Sequence, residues 1–377
     1  MEQIKDQVLD AFNHLHTNPE LSWEEVNTTA YLKEQLEEAG CAVSVFEDCT
    51  GVIGNIGNFT GNVPIIALRA DMDALWQEVD GNMKANHSCG HDAHMAMVLG
   101  VLWNVIDRPD ILERIGIRFI FQPAEEVGSG ALKLVEKGAV DHVDYFYGIH
   151  LRPYQETENG KAAPSILHGA TGTIEFEIRG DDAHGARPHL THNAVEIGTY
   201  IVNAIQTIHL DPNVAHSAKV TRFLAGGRNV NIIPGNASMA VDLRAQQNDA
   251  MKQLVKRVHD ILDTARSLFN VTINITEDSG TAAAEVHPEA EDLARKAIVA
   301  VLGEENTTKP IITPGGDDFH FYTIKKPHLK ASMVGLGCGL QPGLHHPNMT
   351  FDRDAMFSGI RVLTKILELH AFGENEA

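Results

Sequence analysis

The chain is organised around one stretch of sequence, which reads Asn86-His87-Ser88-Cys89-Gly90-His91-Asp92-Ala93-His94. It offers one thiol, three imidazoles and one carboxylate directly before a long apolar run. Cys89 and His91 are two positions apart and cannot share a face of a regular helix. They can converge on one metal ion if they lie in a turn, bent at Gly90, before a helix over residues 93–106. The positive end of that helix is expected to favour a thiolate at Cys89, although a buried cysteine beside unrelated histidines is an equal alternative.

Length and composition narrow the class of protein. A chain of 377 residues predicts two domains, and a hydrophobic fraction of 43% is typical of globular proteins with a substantial core. The net charge of −21 argues against nucleic acid and anionic membranes as partners. Four cysteines without a paired pattern argue against a disulfide framework. With neither a secretory signal nor a membrane-length apolar run in view, the sequence predicts a cytoplasmic protein.

The order of predicted elements indicates an α/β fold. Helices are predicted over residues 3–16, 24–38, 93–106 and 129–137, and strands over residues 42–46, 51–56, 64–69, 116–121 and 145–150. This alternation predicts a mainly parallel central sheet that is covered on both faces.

The pattern changes near residue 170. The next elements are predicted as strand 172–179, helix 193–208, strands 218–224 and 237–245, helix 249–269 and strand 271–276. This βαββαβ order is typical of an independent ferredoxin-like domain. A helix over 289–302, a strand over 331–335 and a helix over 354–371 then return to the first pattern. We therefore predict a catalytic domain of residues 1–170 and 286–377, interrupted by an inserted domain of residues 171–285.

Residues that can carry chemistry recur at the ends of predicted strands in the first domain. They are Asp71 and Asp73, Cys89 and His91, Glu125 and Glu126, His150, and the later run Gly343-Leu344-His345-His346-Pro347. Sites in open α/β sheets gather at the carboxyl ends of strands. Each group has a separate explanation as a turn, a helix start or a core histidine, whereas one metal site explains all of them.

The adjacent pair Glu125 and Glu126 needs a compensating charge, because two neighbouring buried carboxylates repel each other. A metal ion can bind one of them and lower the pKa of a bound water molecule towards about 7. The other glutamate can then take the proton of that water molecule and deliver it to a leaving amine.

Five motifs together resemble the amidohydrolase branch of the M20 metallopeptidase family, which includes aminoacylases, hippurate hydrolases and auxin-conjugate hydrolases. They are Leu68-Arg69-Ala70-Asp71-Met72-Asp73-Ala74-Leu75, Ser88-Cys89-Gly90-His91-Asp92-Ala93-His94, Gln122-Pro123-Ala124-Glu125-Glu126, Gly148-Ile149-His150 and Leu344-His345-His346-Pro347. His16 and the run 183–189 are supporting matches. The resemblance implies a zinc-exopeptidase-like catalytic domain with a lid or dimerisation domain inserted.

The resemblance also implies residue roles. Two divalent ions, zinc or manganese with cobalt and nickel also compatible, would have as ligands Cys89, His91, Glu126, His150 and His345. Cys89 would bridge the ions, Glu125 would be the general base and acid, and Asp73 would orient a ligand. Asp71 stands where other branches of the family have a metal-binding histidine, and we do not expect it to be a direct ligand.

Three residues of the inserted domain match family positions. His184 would reach the active site of a partner subunit, which implies a homodimer formed through this domain. Asn231 and Arg244 would bind the carboxylate of the substrate, although Arg244 is equally compatible with an ordinary strand cation.

The predicted function is metal-dependent hydrolysis of the amide bond of N-acyl amino acids, with a small-molecule substrate and no nucleic acid or membrane partner. Three alternatives remain open: covalent catalysis by Cys89 with His91 or His94 as base, an exopeptidase acting on dipeptides, and a non-catalytic binding protein on the same scaffold. The segment Trp76-Gln77-Glu78 departs from the sequence usual in relatives, so the preference for the acyl group or for the amino-acid side chain can differ from theirs.

Overall fold

The computed structural model describes residues 2–373, which form two compact units. The first unit comprises residues 2–167, 285–312 and 317–373 of this range, and the second comprises residues 168–284 and 313–316. The second unit therefore begins slightly before the predicted residue 171 and also takes in a short segment far along the chain. That segment joins it because the Thr313 carbonyl accepts a hydrogen bond from the Gly169 amide at 2.9 Å.

The bounds of the elements follow in chain order. The helices are α1 (Glu2–Thr17), α2 (Val26–Glu38), α3 (His91–Val105), α4 (Pro109–Leu112), α5 (Gly130–Glu136), α6 (Ala194–Gln206), α7 (Asn248–Phe269), α8 (Pro288–Leu302), α9 (His320–Lys325) and α10 (Ala355–Phe372). The strands are β1 (Ala42–Val45), β2 (Val52–Gly57), β3 (Ile65–Asp71), β4 (Leu75–Val79), β5 (Asn82–Asn86), β6 (Gly116–Gln122), β7 (Tyr145–Pro153), β8 (Ala162–Ala163), β9 (Ile166–His168), β10 (Ala170–Arg179), β11 (Ala183–His184), β12 (His216–Ala225), β13 (Ile232–Ile233), β14 (Ala237–Ala245), β15 (Thr272–Thr281), β16 (Ile311–Thr313) and β17 (Lys330–Leu340).

The first unit is built on a seven-stranded sheet in the order β1-β2-β6-β3-β7-β17-β8. The four strands at its centre, β6, β3, β7 and β17, pair in parallel, and the outer pairs are antiparallel. The prediction of an α/β fold with a mainly parallel central sheet is therefore confirmed.

Both faces of this sheet are covered, because alternate residues of β3 enter different hydrophobic clusters. Ile66 and Leu68 pack in the cluster that contains α1, α3 and α10. Ala67 points to the opposite face and packs in the cluster that contains α5 and α9. Helix α3 is deeply placed, since residues 91–102 are all buried.

The second unit is a four-stranded antiparallel sheet in the order β12-β14-β10-β15. Ile174 and Phe176 of β10 form its core with Ile201 of α6 and Leu254 of α7. The predicted βαββαβ order is present. Strand β15 is longer than predicted, because it pairs with β10 from Thr171 to Arg179 across an irregularity at Glu175 and Phe176.

Further local features differ from the sequence prediction. Helix α3 begins at His91 rather than residue 93, directly after Gly90 in the left-handed conformation (φ 86°). A hairpin of β4 and β5 was not predicted; its turn residues Asp80 and Gly81 both have positive φ, as tight hairpins require. Across the described residues, no helix combines the length and apolar character that a membrane span needs.

Candidate metal centre

The candidate site lies at the carboxyl-terminal side of the central strands of the first unit. Loops after β3 and β6, the start of α3, the second half of β7 and the loop after β17 all contribute to it. The structure brings together the five side chains that the sequence singled out as ligands, Cys89, His91, Glu126, His150 and His345.

One part of the cluster centres on the Cys89 thiol. Its Sγ atom lies 3.7 Å from Nε2 of His150. Cys89, Glu126 and His345 each offer a ligand atom, and these three atoms lie within 4.8 Å of one another. His345 Nε2 lies 3.5 Å from Glu126 Oε2. Sulfur, nitrogen and oxygen donors thus converge, a set that suits divalent transition metals.

His91 faces both glutamates. Its Nε2 atom lies 3.8 Å from Glu125 Oε2 and 3.8 Å from Glu126 Oε1. Its Nδ1 atom is 2.8 Å from the Asp73 carbonyl oxygen and donates to it, which leaves the lone pair of Nε2 facing the cluster. His150 is oriented in the same way, because its Nδ1 donates to the Leu151 carbonyl at 2.7 Å. A backbone acceptor behind each ring is the usual arrangement of metal-binding histidines.

Unsatisfied atoms at the cluster support a bound cation. His91 Nε2 and Glu126 Oε1 are buried and make no hydrogen bond. Buried polar atoms in proteins almost always have a partner, so two orphaned acceptors that face each other need one. A divalent ion supplies it, and the residues present therefore fit a metal centre.

The electrostatics of the glutamate pair are consistent with this fit. Burial, together with the charges of Asp317 and Glu126, raises the pKa of Glu125 well above its usual value. Burial likewise raises the pKa of Glu126 to about 7, although the nearby His91 opposes the shift. Both shifts report a shortage of positive charge, which a bound cation would relieve.

In the metal-free protein, the thiolate expected at Cys89 is not favoured. Burial, with the charge of Glu126, raises the pKa of this thiol well above its usual value. The positive end of α3 does not overcome these effects, because its partial charge is small beside the loss of hydration and the neighbouring carboxylates. A metal ion bound at Cys89 would displace the thiol proton, because the thiolate is the form that binds metal.

Asp73 connects three parts of the site. Its two carboxylate oxygens accept hydrogen bonds from the backbone amides of Glu125 (3.1 Å) and Glu126 (3.0 Å). The hydroxyl of Ser22 donates to the same carboxylate at 2.6 Å. Because its carbonyl also accepts from His91, Asp73 fixes a histidine and the backbone of both glutamates at once.

A buried network behind the cluster was not predicted. Asp71 accepts from Arg69 at 2.6 Å and from His94 at 2.7 Å, so its oxygens are already engaged. The other ring nitrogen of His94 accepts from the Leu151 amide at 3.0 Å, which leaves His94 no free nitrogen to act as a base. Arg69 also binds Asp318 at 3.0 Å. The sequence feature that could have revealed this network is an arginine inside an otherwise apolar strand.

The three predicted residues of the inserted segment lie in the second unit. His184 on β11 and Asn231 beside β13 are exposed neighbours, since these two strands pair and the Gly185 amide donates to the Asn231 carbonyl at 2.7 Å. Arg244 on β14 is half-buried and pairs with Asp242 at 2.9 Å. Their roles in catalysis and substrate binding stay predictions.

Comparison with known proteins gives the family. The family model described as peptidase family M20/M25/M40 matches residues 67–369, most of the chain. The chain belongs to this family. The resemblance to its amidohydrolase branch is confirmed, and this M20 chain is a metal-dependent hydrolase.

Individual relatives agree with this placement of the M20 chain. It is 31% identical over 370 residues to an N-acetyl-L-cysteine deacetylase of Bacillus subtilis (strain 168), covering 94% of this chain and 86% of the relative. It is 30% identical over 344 residues to the IAA-amino acid hydrolase ILR1-like 5 of Arabidopsis thaliana, covering 85% of this chain and 76% of the relative. Among solved structures, a Bacillus subtilis protein described as a dinuclear metal-binding peptidase of the M20 family matches with a TM-score of 0.79 and 26% identity, covering 97% of this chain and 98% of that one.

Proposed function

We propose that this M20 hydrolase cleaves the amide bond of N-acyl amino acids and releases a carboxylic acid and an amino acid. The observation that carries the proposal is the cluster of one thiol, three imidazoles and two adjacent glutamates, in which His345 is exposed, Glu126 is half-buried and the rest are buried. The relatives named as a deacetylase of N-acetyl-L-cysteine and as a hydrolase of IAA-amino acids support the substrate class.

The five ligands of the proposed centre are Cys89, His91, Glu126, His150 and His345. Two divalent ions held there would polarise the amide carbonyl and make water acidic enough to react near neutral pH. Zinc or manganese is the proposed metal, and cobalt and nickel suit the same donors.

Glu125 is the proposed proton carrier. Its Oε2 atom faces the cluster, 3.8 Å from His91 Nε2, and its raised pKa suits a group that takes and returns a proton near neutral pH. It takes a proton from the attacking water molecule and delivers it to the leaving nitrogen. The new carbon–oxygen bond forms first and the carbon–nitrogen bond then breaks, so the acyl group leaves as a carboxylic acid and the nitrogen as an amine.

Substrate recognition is assigned to the second unit. We propose that Asn231 and Arg244 bind the carboxylate of the amino acid, for which the planar guanidinium of Arg244 is well suited. His184 is proposed to stabilise the developing negative charge in the active site of a partner subunit, so that the working enzyme is a homodimer.

The test is amine release by metal-stripped protein before and after addition of Zn²⁺ or Mn²⁺. The substrates are N-acetyl, N-benzoyl and N-indoleacetyl amino acids, with dipeptides as a comparison. The proposal expects no turnover without metal and restored turnover of N-acyl amino acids with it. Preference for dipeptides would support an exopeptidase. Absence of amine release from every substrate, with metal demonstrably bound, would support a binding protein. Turnover that survives metal removal would contradict the proposal.

A further inference from the structure

The turn that carries both glutamates has an unusual backbone. Ala124 directly precedes Glu125 and has φ 53°, in the left-handed region that a residue with a side chain rarely adopts. Such a conformation persists only where surrounding contacts hold it. The question is therefore which groups hold this turn.

Three successive backbone amides of the turn are each held by a buried carboxylate. The amides of Glu125 and Glu126 donate to Asp73, as described above. The Ala124 amide donates to Oε1 of Glu25 at 2.8 Å. The Glu25 side chain has no exposed surface, and its Oε2 accepts from the Thr50 hydroxyl at 2.6 Å. Glu25 thus holds the first amide of the turn, while Asp73 holds the other two.

The loop that contains Glu25 also contacts Asp73, which holds the other two amides of the turn. Residues 18–25 form the loop between α1 and α2, and Ser22 of this loop donates to Asp73. The carbonyl of Glu20 accepts from the Ala74 amide at 2.8 Å. One loop therefore contacts both the turn after β3 and the turn after β6, from which the site residues project.

We propose that Glu25 is a positioning residue of the metal centre, which fixes the left-handed turn at Ala124 and thereby the directions of Glu125 and Glu126. The role rests on the proposed function, since it concerns the same two glutamates. Glu25 does not touch the ligand cluster and acts only through the backbone of the turn. Its removal leaves a buried amide without an acceptor, so the turn is expected to relax towards an ordinary conformation.

The variants Glu25→Ala and Glu25→Gln separate positioning from charge. Glutamine keeps an oxygen for the Ala124 amide, and its NH₂ group can donate to Thr50, whose hydroxyl also accepts. Alanine removes the acceptor. Thr50→Val, which leaves the contact with Ala124 in place, serves as a milder second variant if Glu25→Ala does not fold. Leu36→Ala is the matched control, because Leu36 is a fully buried residue of the neighbouring helix α2 and packs on Gly54, away from the turn.

Two measurements read the effect without relying on turnover. The first is the affinity of metal-free protein for Zn²⁺, measured by competition with a chromophoric chelator. The second is amide hydrogen exchange in a peptide that spans residues 122–130 of metal-free protein. Glu25→Ala is expected to lose roughly 10- to 100-fold in affinity, the usual effect of removing a group that orients metal ligands, and to exchange faster in this peptide. Glu25→Gln is expected to stay close to the unmodified protein in both, and Thr50→Val to lie between the two.

Leu36→Ala is expected to lower the melting temperature while both readings stay unchanged. The proposal is overturned if Glu25→Ala binds Zn²⁺ and exchanges like the unmodified protein, or if Leu36→Ala matches its losses. Failure of the unmodified protein to bind metal would instead refute the proposed function. The exchange measurement on metal-free protein would still test the role of Glu25 in that case.

Discussion

Arg69 is a buried cation that several carboxylates share. Its guanidinium donates to Asp71 at 2.6 Å and to Asp318 at 3.0 Å, and Asp317 lies 3.7 Å away. Burial opposes its charge, but the three aspartates outweigh this and raise the pKa of Arg69. A guanidinium in this position offsets part of the negative charge that gathers behind Glu125.

Removal of the Arg69 guanidinium is expected to lower the free energy of unfolding. Arg69→Met leaves buried carboxylates without a counter-charge, which destabilises a fold by about 3–5 kcal/mol. Urea unfolding of metal-free protein measures the loss. Arg179→Met is the control, because Arg179 pairs with Glu177 on an exposed surface where such pairs contribute under about 1 kcal/mol. Equal losses in the two variants would contradict the role given to Arg69.

The roles proposed for Glu125 and Cys89 predict different effects when each residue is replaced. Glu125→Gln is expected to keep bound metal and lose most turnover, because an amide cannot carry the proton. Cys89→Ala is expected to lose metal, because it removes the donor that both ions are proposed to share. Metal content by elemental analysis and amine release measure the two effects. Full turnover in Glu125→Gln, or full metal content in Cys89→Ala, would refute the assigned role.

His16 introduces a dependence of stability on pH. The hydrogen bond with Asp92, at 2.6 Å, raises the pKa of His16 above its usual 6.5. The stabilisation by protonated His16 is therefore complete below pH 6.5 and is lost as the pH rises through the higher pKa of the folded state. Urea midpoints of His16→Asn and the unmodified protein should differ most at low pH and converge at high pH. A difference that does not change with pH would rule this out.

At the scale of elements, the sequence predicted the parts of the site that follow strand ends. His150 and the Glu125–Glu126 pair were found in this way because alternating strands and helices are visible in hydrophobic patterns. Glu25 and Arg69 were not, since their contacts join positions 99 and 249 residues apart. The β4–β5 hairpin was missed because its strands have only five residues each, and Trp76 and Glu78 of β4 are exposed.

The start of α5 packs closely against the turn that carries Glu125 and Glu126. A Cβ atom at Gly130 would lie 1.7 Å from the Pro123 carbonyl oxygen. Gly130→Ala must therefore displace the turn that carries the glutamates, and we expect lower stability together with weaker Zn²⁺ binding. Gly227→Ala is the control, because a Cβ there meets nothing within 4 Å. Thermal unfolding and chelator competition measure both effects; a Gly130→Ala protein that matches Gly227→Ala in both would refute the prediction.

At the scale of the whole molecule, the change of pattern near residue 170 was enough to predict an insertion. Each unit has a hydrophobic core of its own, as the separate clusters of β10 and β3 residues show. The exact boundaries were not predictable, because the short segment 313–316 joins the second unit through backbone hydrogen bonds that no side-chain pattern reveals.

The proposed homodimer makes a prediction that involves two subunits. His184→Ala and Glu125→Gln should each be nearly inactive alone. When the two are co-expressed, half of the dimers are mixed and each mixed dimer has one intact site, so about a quarter of the unmodified activity is expected. Amine release per mole of protein measures the recovery. Without any recovery, a site built within one chain would be the correct description.

The burial of α3 also bears on how such an enzyme can change its substrate. The start of this helix carries the proposed metal ligand His91, and every residue from 91 to 102 is buried, so a mutation there disturbs the core as well as the proposed site. The β4–β5 hairpin is different: Gln77 donates to the His345 carbonyl at 2.8 Å, while Trp76 on the other face is 57% exposed. Substitutions on the outer face of this hairpin, whether they arise among relatives or by directed evolution, therefore change the stability of the fold little.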